Sequence, residues 1–153
     1  MKKLRRNYFI TFSILFSVFL SFILTYLFSF LNEKPIHSEI LNNYSTLKSF
    51  IFRVLIGPFF ETLIFQAIII EFLIYHLKIK TLTMPILISG IIFGSLHYFN
   101  NFNTTYMAYT ILLGFMFALI YATAKKRKDI NPFFITFTCH FFINFIAFVI
   151  RIY

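Results

Sequence analysis

The sequence predicts an all-α fold, a polytopic membrane helical bundle of about five transmembrane helices, in a single membrane domain over residues 1–153. Three observations predict it. First, 59% of the 153 residues are hydrophobic and only 12% are charged, about half the roughly 25% charge of an ordinary soluble domain, and the mean hydropathy is +0.82. These values exclude a water-soluble enzyme and a disordered chain. Second, apolar runs of about the length that crosses a bilayer, roughly 20 residues, recur along the chain. Third, the net charge of +9, from 14 Lys+Arg against 5 Asp+Glu, sits in short clusters between those runs. Such clusters are topology signals and do not form a nucleic-acid-binding face. The expected surroundings are therefore a lipid bilayer, with no nucleic-acid partner. A lone Cys139 provides neither a disulfide framework nor a CxxC metal site.

The first span runs uncharged from Asn7 to Leu31 behind the basic Lys2-Lys3-Leu4-Arg5-Arg6. It exceeds the roughly 7–15 apolar residues of a signal peptide, and no Ala precedes Ala67 to supply a small-residue cleavage site, so it reads as an uncleaved spanning helix. Asn32 to Lys48 is the longest polar loop. Ser49 to Leu77 is the second span, interrupted by Arg53, Glu61, Gln66 and Glu71 and closed by Lys78 and Lys80. Met84 to Phe99 is the third, followed by an Asn-rich turn over residues 100–103. Thr105 to Ala124 is the fourth, ending in Lys125-Lys126-Arg127-Lys128. Pro132 to Ile150 is the fifth, with Pro132 suited to a helix start because its missing N–H is an orphan there. A cytosolic N-terminus puts Lys2, Lys3, Arg5, Arg6, Lys78, Lys80, Lys125, Lys126, Arg127 and Lys128 inside, and Lys34, Lys48 and Arg151 outside. This positive-inside bias predicts a multi-pass protein of the cell membrane with its N-terminus in the cytosol and its C-terminus outside.

Polar side chains at membrane depth need pairing or water. Glu61 lies about 18 Å into its span at 1.5 Å per residue. Just before it, Pro58 cannot donate to the preceding turn, which predicts a kink or wide turn with room for water. On the third span, Gly90, Phe93, Gly94 and His97 share one helix face. Gly90 and Gly94 form a GxxxG that admits a close neighbour, so His97 faces protein and not lipid. His140 and Asn144 are i, i+4 on the fifth span, as are Thr62 and Gln66 on the second. Glu71, near the cytosolic end, reads as an interfacial or paired carboxylate. One Glu, two His and one Asn from three spans are explained most simply by a shared wet site. There a carboxylate can act as general base, or two imidazoles and a carboxylate (His97, His140 and Glu61) can hold a divalent metal such as zinc with an open position.

The segment Gly57-Pro58-Phe59-Phe60-Glu61-Thr62-Leu63-Ile64-Phe65-Gln66 resembles the first motif of the CPBP intramembrane proteases, the group of type II CAAX prenyl endoproteases and Abi bacteriocin-processing or immunity proteins. Phe93-Gly94-Ser95-Leu96-His97 is similar to their FxxxH motif and His140-Phe141-Phe142-Ile143-Asn144 to their HxxxN motif. The resemblance spans a protease-like core over residues 49–150. It implies catalytic roles for Glu61 (base), His97 (water positioning), His140 and Asn144 (oxyanion stabilisation), with Thr62, Gln66 and Phe93 supporting. The family's EExxxR reads here with Thr62 at the second Glu and Gln66 at the Arg, a loss of both charges together that leaves no unpaired ion.

The expected function is an intramembrane endopeptidase, metal-dependent or glutamate-type. It would cleave near the membrane surface in a prenylated, exported or membrane-bound protein or peptide. The departures at Thr62 and Gln66 motivate an alternative: a non-catalytic membrane immunity or adaptor protein on the same fold. A small transporter is a third reading, weakened by the absence of inverted repeats.

Overall fold

A computed structural model describes residues 5–31, 46–100 and 102–152, with the side chains of the last two left undescribed. Lys2, Lys3, Lys34, most of the Asn32–Lys48 loop and Asn101 lie outside the described residues. The described chain is helical throughout, without strands, and forms five rods: α1 (Arg6–Ser29), α2 (Thr46–Tyr75), α3 (Thr83–His97), α4 (Thr104–Arg127) and α5 (Pro132–Ile152). Helices α1, α2, α4 and α5 are long and apolar enough to cross a membrane. The protein is a multi-pass membrane bundle.

The third span lies where the sequence places it and is the shortest of the five helices. Helix α3 has 15 residues and so rises about 22 Å, short of the ~30 Å hydrocarbon core. It continues only as a 3-10 turn over Tyr98–Asn100.

Helix α1 carries a hydroxyl every four residues: Ser13, Ser17, Ser21, Thr25 and Ser29. Four of them return their proton to the same helix, Ser17 to the Ile14 carbonyl at 2.9 Å, Ser21 to Val18 at 2.7 Å, Thr25 to Ser21 at 2.8 Å and Ser29 to Tyr26 at 2.7 Å. Each is satisfied without water, as an apolar solvent requires. Ser13, Ser17 and Ser21 are buried, because small side chains let α1 lie close to α4 and α5. Phe12, Leu15 and Phe19 on the opposite face are exposed, the arrangement expected against lipid.

Helix α4 is the centre of the bundle. It buries Leu113, Met116, Phe117 and Ile120 among the other helices. Its closest partner is α3, with Gly90 and Gly94 seated against Gly114, Ile111 and Phe115. A Cβ at Gly94 would overlap the Ile111 backbone, and one at Gly114 would stand 2.9 Å from the Gly90 carbonyl. The GxxxG of the sequence is thus a real close approach. Thr110 is buried at this contact, with its hydroxyl 2.9 and 3.0 Å from the Tyr106 and Met107 carbonyls of its own helix and 3.4 Å from that of Gly94. Asn103 caps the start of α4, accepting from the Tyr106 amide at 2.9 Å, and Asn131 accepts from the Phe133 amide at 3.0 Å ahead of Pro132.

At the far end of α4, Lys125 donates to both oxygens of Glu71 at 2.7 and 2.6 Å, and the Tyr121 hydroxyl donates to the same carboxylate at 2.8 Å. Glu71 is the paired carboxylate the sequence suggested. It fastens the C-terminal end of α2 to that of α4.

Gly94→Ala should lower the unfolding midpoint in detergent, with a loss on the order of 1–3 kcal/mol from overpacking. Ile91→Ala, at a position 48% exposed, should change it far less. Thermal unfolding of the two variants side by side checks this.

Candidate active site

Helix α2 is widened twice. Ile51–Ile56 and Thr62–Ile68 are π-helical, and Gly57–Glu61 between them is α-helical. Short π segments of this kind recur at functional sites because they re-aim side chains. In the first, the Gly57 amide donates to the Phe52 carbonyl, an i to i−5 bond. The next bond in that ladder would run from residue 58 to the Arg53 carbonyl, but residue 58 is proline and has no N–H to give. The orphaned carbonyl is taken instead by α5, where the Asn144 side-chain amide donates to it at 2.9 Å. In the second segment Ser89 of α3 donates to the Phe65 carbonyl at 2.8 Å. Both widened stretches are thereby tied to neighbouring helices.

Glu61 ends the α-helical insert, with its carboxyl 31% exposed, at the wall of a cavity of about 870 Å³. Two imidazoles face it. His140 Nε2 stands 3.4 Å from Glu61 Oε2, and His97 Nε2 stands 3.9 Å from the same oxygen. In a straight-helix reading His97 would sit nearer the outer surface than Glu61. The 3.9 Å approach leaves no such mismatch: His97 lies 14 positions after Thr83 at the start of α3, and Glu61 lies 14 positions before Tyr75 at the adjoining end of α2.

His97 Nδ1 lies 2.7 Å from the Phe93 carbonyl. A carbonyl only accepts, so Nδ1 carries the proton and a neutral His97 turns a lone pair at Nε2 toward the carboxyl. Phe93 also lies against the His97 ring, with centroids 4.5 Å apart. The supporting role expected of Phe93 therefore has two parts, a carbonyl that sets the tautomer and a ring that holds the imidazole. His140 is almost fully buried, stacked on Phe117 at 4.4 Å and edge-on to Phe93 at 5.9 Å. Its Nδ1 has no hydrogen-bond partner.

The four residues expected to be catalytic thus converge on one cavity wall, but Asn144 reaches it differently. One of its amide hydrogens holds the Arg53 carbonyl. Thr62 and Gln66 share a face and are fully buried, as a neutral replacement for an ion pair requires. They do not bond one another: Thr62 Oγ1 and both polar atoms of the Gln66 amide lack partners.

The expected zinc ligands are Glu61, His97 and His140. Neighbouring ligands of a tetrahedral ion are roughly 3.3 Å apart for bonds near 2.0–2.1 Å, and the His97–Glu61 separation of 3.9 Å exceeds this. Among the described residues no three His, Cys, Asp or Glu side chains are grouped closely enough to hold an ion. As arranged, the donor set does not fit a metal.

The residues that sequence reasoning missed are on α1 and α4. Ser21, Thr25 and Tyr109 line the cavity, and Thr25 Oγ1 lies 3.3 Å from the Tyr109 hydroxyl. Tyr106 also lines it, with its ring 6.1 Å from that of His97. The four-residue hydroxyl spacing on α1 was a legible signal. Nothing in the local sequence marks Tyr106.

Two stability predictions follow from these partners. Asn144→Ala should cost about 1–3 kcal/mol by stranding the Arg53 carbonyl, and Asn144→Leu should not rescue it although it restores bulk. Thr62→Val should be neutral or stabilising, because it removes a buried hydroxyl that has no partner. Unfolding midpoints in detergent check both.

A family model described as type II CAAX prenyl endopeptidase Rce1-like matches residues 43–146, which include all three motifs. Comparisons with curated proteins and with solved structures gave no match. A carboxyl facing two imidazoles inside a membrane bundle, and a match over most of the chain, lead to one conclusion: the chain belongs to the type II CAAX prenyl endopeptidase Rce1-like family of intramembrane peptide hydrolases.

Proposed function

We propose that this chain hydrolyses a peptide bond near the membrane surface in a prenylated, exported or membrane-bound protein or peptide. The observation that carries this reading is the convergence of two imidazole Nε2 atoms on one oxygen of Glu61, at 3.4 and 3.9 Å, in the wall of a cavity large enough for a peptide segment.

The geometry supports a glutamate-type reaction. A water between Glu61 and His97 gives one proton to the carboxylate while its oxygen bonds to the scissile carbonyl carbon. His97 Nε2, a lone-pair acceptor because Nδ1 is committed to the Phe93 carbonyl, accepts the water's other hydrogen and orients it. His140, in the tautomer with hydrogen on Nε2, donates to the tetrahedral oxyanion, a stabilisation made only in the transition state. Its apolar surroundings of Phe93 and Phe117 strengthen that bond. As the C–N bond breaks, Glu61 passes its proton to the leaving amine nitrogen. The products are a carboxylic acid and an amine. Asn144 acts in this scheme as a positioning residue, holding α2 against α5 through the Arg53 carbonyl.

The buried, unpartnered Thr62 and Gln66 favour a second reading, a non-catalytic membrane immunity or adaptor protein. In that case the polar set serves only the fold, and Glu61→Gln leaves the protective or partner-binding phenotype intact.

The test is cleavage by detergent-purified protein of prenylated CAAX-type peptides and of unmodified membrane-proximal peptides. Wild type should cleave one class, and Glu61→Gln should lower kcat/KM by roughly 10²–10⁴-fold while inserting and unfolding normally. Cleavage retained in Glu61→Gln would overturn the assignment. Activity should survive a chelator. Loss that zinc restores would instead make Glu61, His97 and His140 metal ligands.

A further inference from the structure

One end of the bundle carries positive charge that the fold itself does not use. The start of α1, the end of α2 and the end of α4 meet there. The Arg127 guanidinium of α4 lies 4.7 Å over the ring of Phe9 on α1, and Lys125 of α4 holds Glu71 of α2 at 2.6 Å. The chain leaves α2 by a tight turn in which the Ile79 amide donates to the Leu73 carbonyl at 3.1 Å, so Lys78 and Lys80 stay at the same end.

Two carboxylates stand at this end among the described residues, and each already has its cation. Glu71 takes Lys125, and Asp129 takes Arg127 in a two-pronged pair at 3.0 and 3.1 Å. Arg5, Arg6, Lys78, Lys80, Lys126 and Lys128 are exposed and have no carboxylate partner among the described residues. Like charges gathered in this way repel one another unless an anion is supplied from outside the chain.

The positive-inside rule accounts for how many cations lie here. It does not account for the place of two of them. Lys78 and Lys128 have φ of 54° and 64°, the left-handed region where a Cβ is strained and where glycine is the ordinary residue at a helix end. Lysine at both turns puts a charge where the backbone alone favours glycine. Apolar side chains border the cations: Tyr8, Leu77 and Met84 are each more than half exposed and lie within four positions of Arg6, Lys78 and Lys80 respectively. A soluble phosphate would use only the cations. A phospholipid uses both, its phosphodiester against the cations and its tails against the apolar rim.

We propose that this end of the bundle is a binding surface for anionic phospholipid headgroups, formed jointly by the start of α1, the α2–α3 connection and the end of α4. Because three helix ends contribute, a headgroup phosphate bound there bridges them and relieves their repulsion, and anionic lipid stabilises the bundle. The surface lies away from Glu61 and its two histidines, and the proposal does not depend on the peptidase reading.

The test is the unfolding midpoint of the full chain in zwitterionic detergent, with phosphatidylglycerol or phosphatidylcholine of the same acyl chains added. Phosphatidylglycerol should raise the midpoint and phosphatidylcholine should not, and high salt should remove the difference. Equal shifts with the two lipids, or a phosphatidylglycerol shift that survives high salt, would overturn the proposal. Inorganic phosphate at the same concentration should leave the midpoint where it was. A shift as large as the lipid's would assign the surface to soluble phosphate and defeat the lipid assignment.

The variant arm combines Lys78→Gly with Lys128→Gly. Glycine suits both backbones, so the midpoint without lipid should hold or rise. Affinity for phosphatidylglycerol, read as lipid retained in native mass spectrometry, should fall by about fivefold or more. Lys48→Gln, at the other end of α2, should leave retention unchanged. Undiminished retention in the double variant, or an equal loss in Lys48→Gln, would sink the proposal. If the double variant does not accumulate, Lys80→Gln with Lys126→Gln should show the same loss by the same measurement, and full retention there would count as the same refutation.

Discussion

The contact between α3 and α4 is the constraint from which the rest of the molecule follows. Gly90 and Gly94 bring the α3 backbone against Gly114 and Ile111 at a distance no side chain allows. Helix association in lipid gains little from the hydrophobic effect, because the tails are as apolar as the side chains, so close van der Waals contact has to supply the attraction. That contact also fixes α3 so that His97, at its C-terminal end, stands 3.9 Å from Glu61.

The second dependence runs through the proline in α2. Its missing N–H takes one intrahelical donor from the Arg53 carbonyl in a solvent that cannot replace it, and the Asn144 amide donates to that carbonyl from α5. One proline therefore explains a widened helix, the reach of Asn144 and the approach of α5 that carries His140 to Glu61. Residues that look like a reactive set on sequence spacing alone divide into two kinds in space. Glu61, His97 and His140 face each other, whereas Asn144 holds the frame in which they do so.

The neutral pair at Thr62 and Gln66 is the point where this chain leaves its family's motif. Both side chains are fully buried on the second widened segment. Retaining a glutamate and an arginine there would bring two charges into the bundle, which repay their desolvation only with good geometry and further hydrogen bonds. Replacing both together avoids an uncompensated charge, and it leaves the facing of Glu61 and the two histidines in place.

Much of the architecture was legible in the sequence. Apolar runs and lysine clusters determined a helical membrane bundle. The GxxxG spacing determined that α3 would meet another backbone, and the i, i+4 spacing of His140 and Asn144 determined a shared face. The three motifs marked Glu61 and both histidines that face it. Such features are local: they depend on helix period and on the cost of polar groups in lipid, and both act on neighbouring residues. Tertiary structure decided the rest. That the Asn144 amide serves a carbonyl 91 positions away, that Thr62 and Gln66 stay unbonded, and that Tyr106 and the hydroxyls of α1 join the cavity all depend on which helix lies beside which. Helical periodicity fixes the face a residue presents, but not the partner or the depth it meets, because those are set by the sum of contacts across the whole bundle.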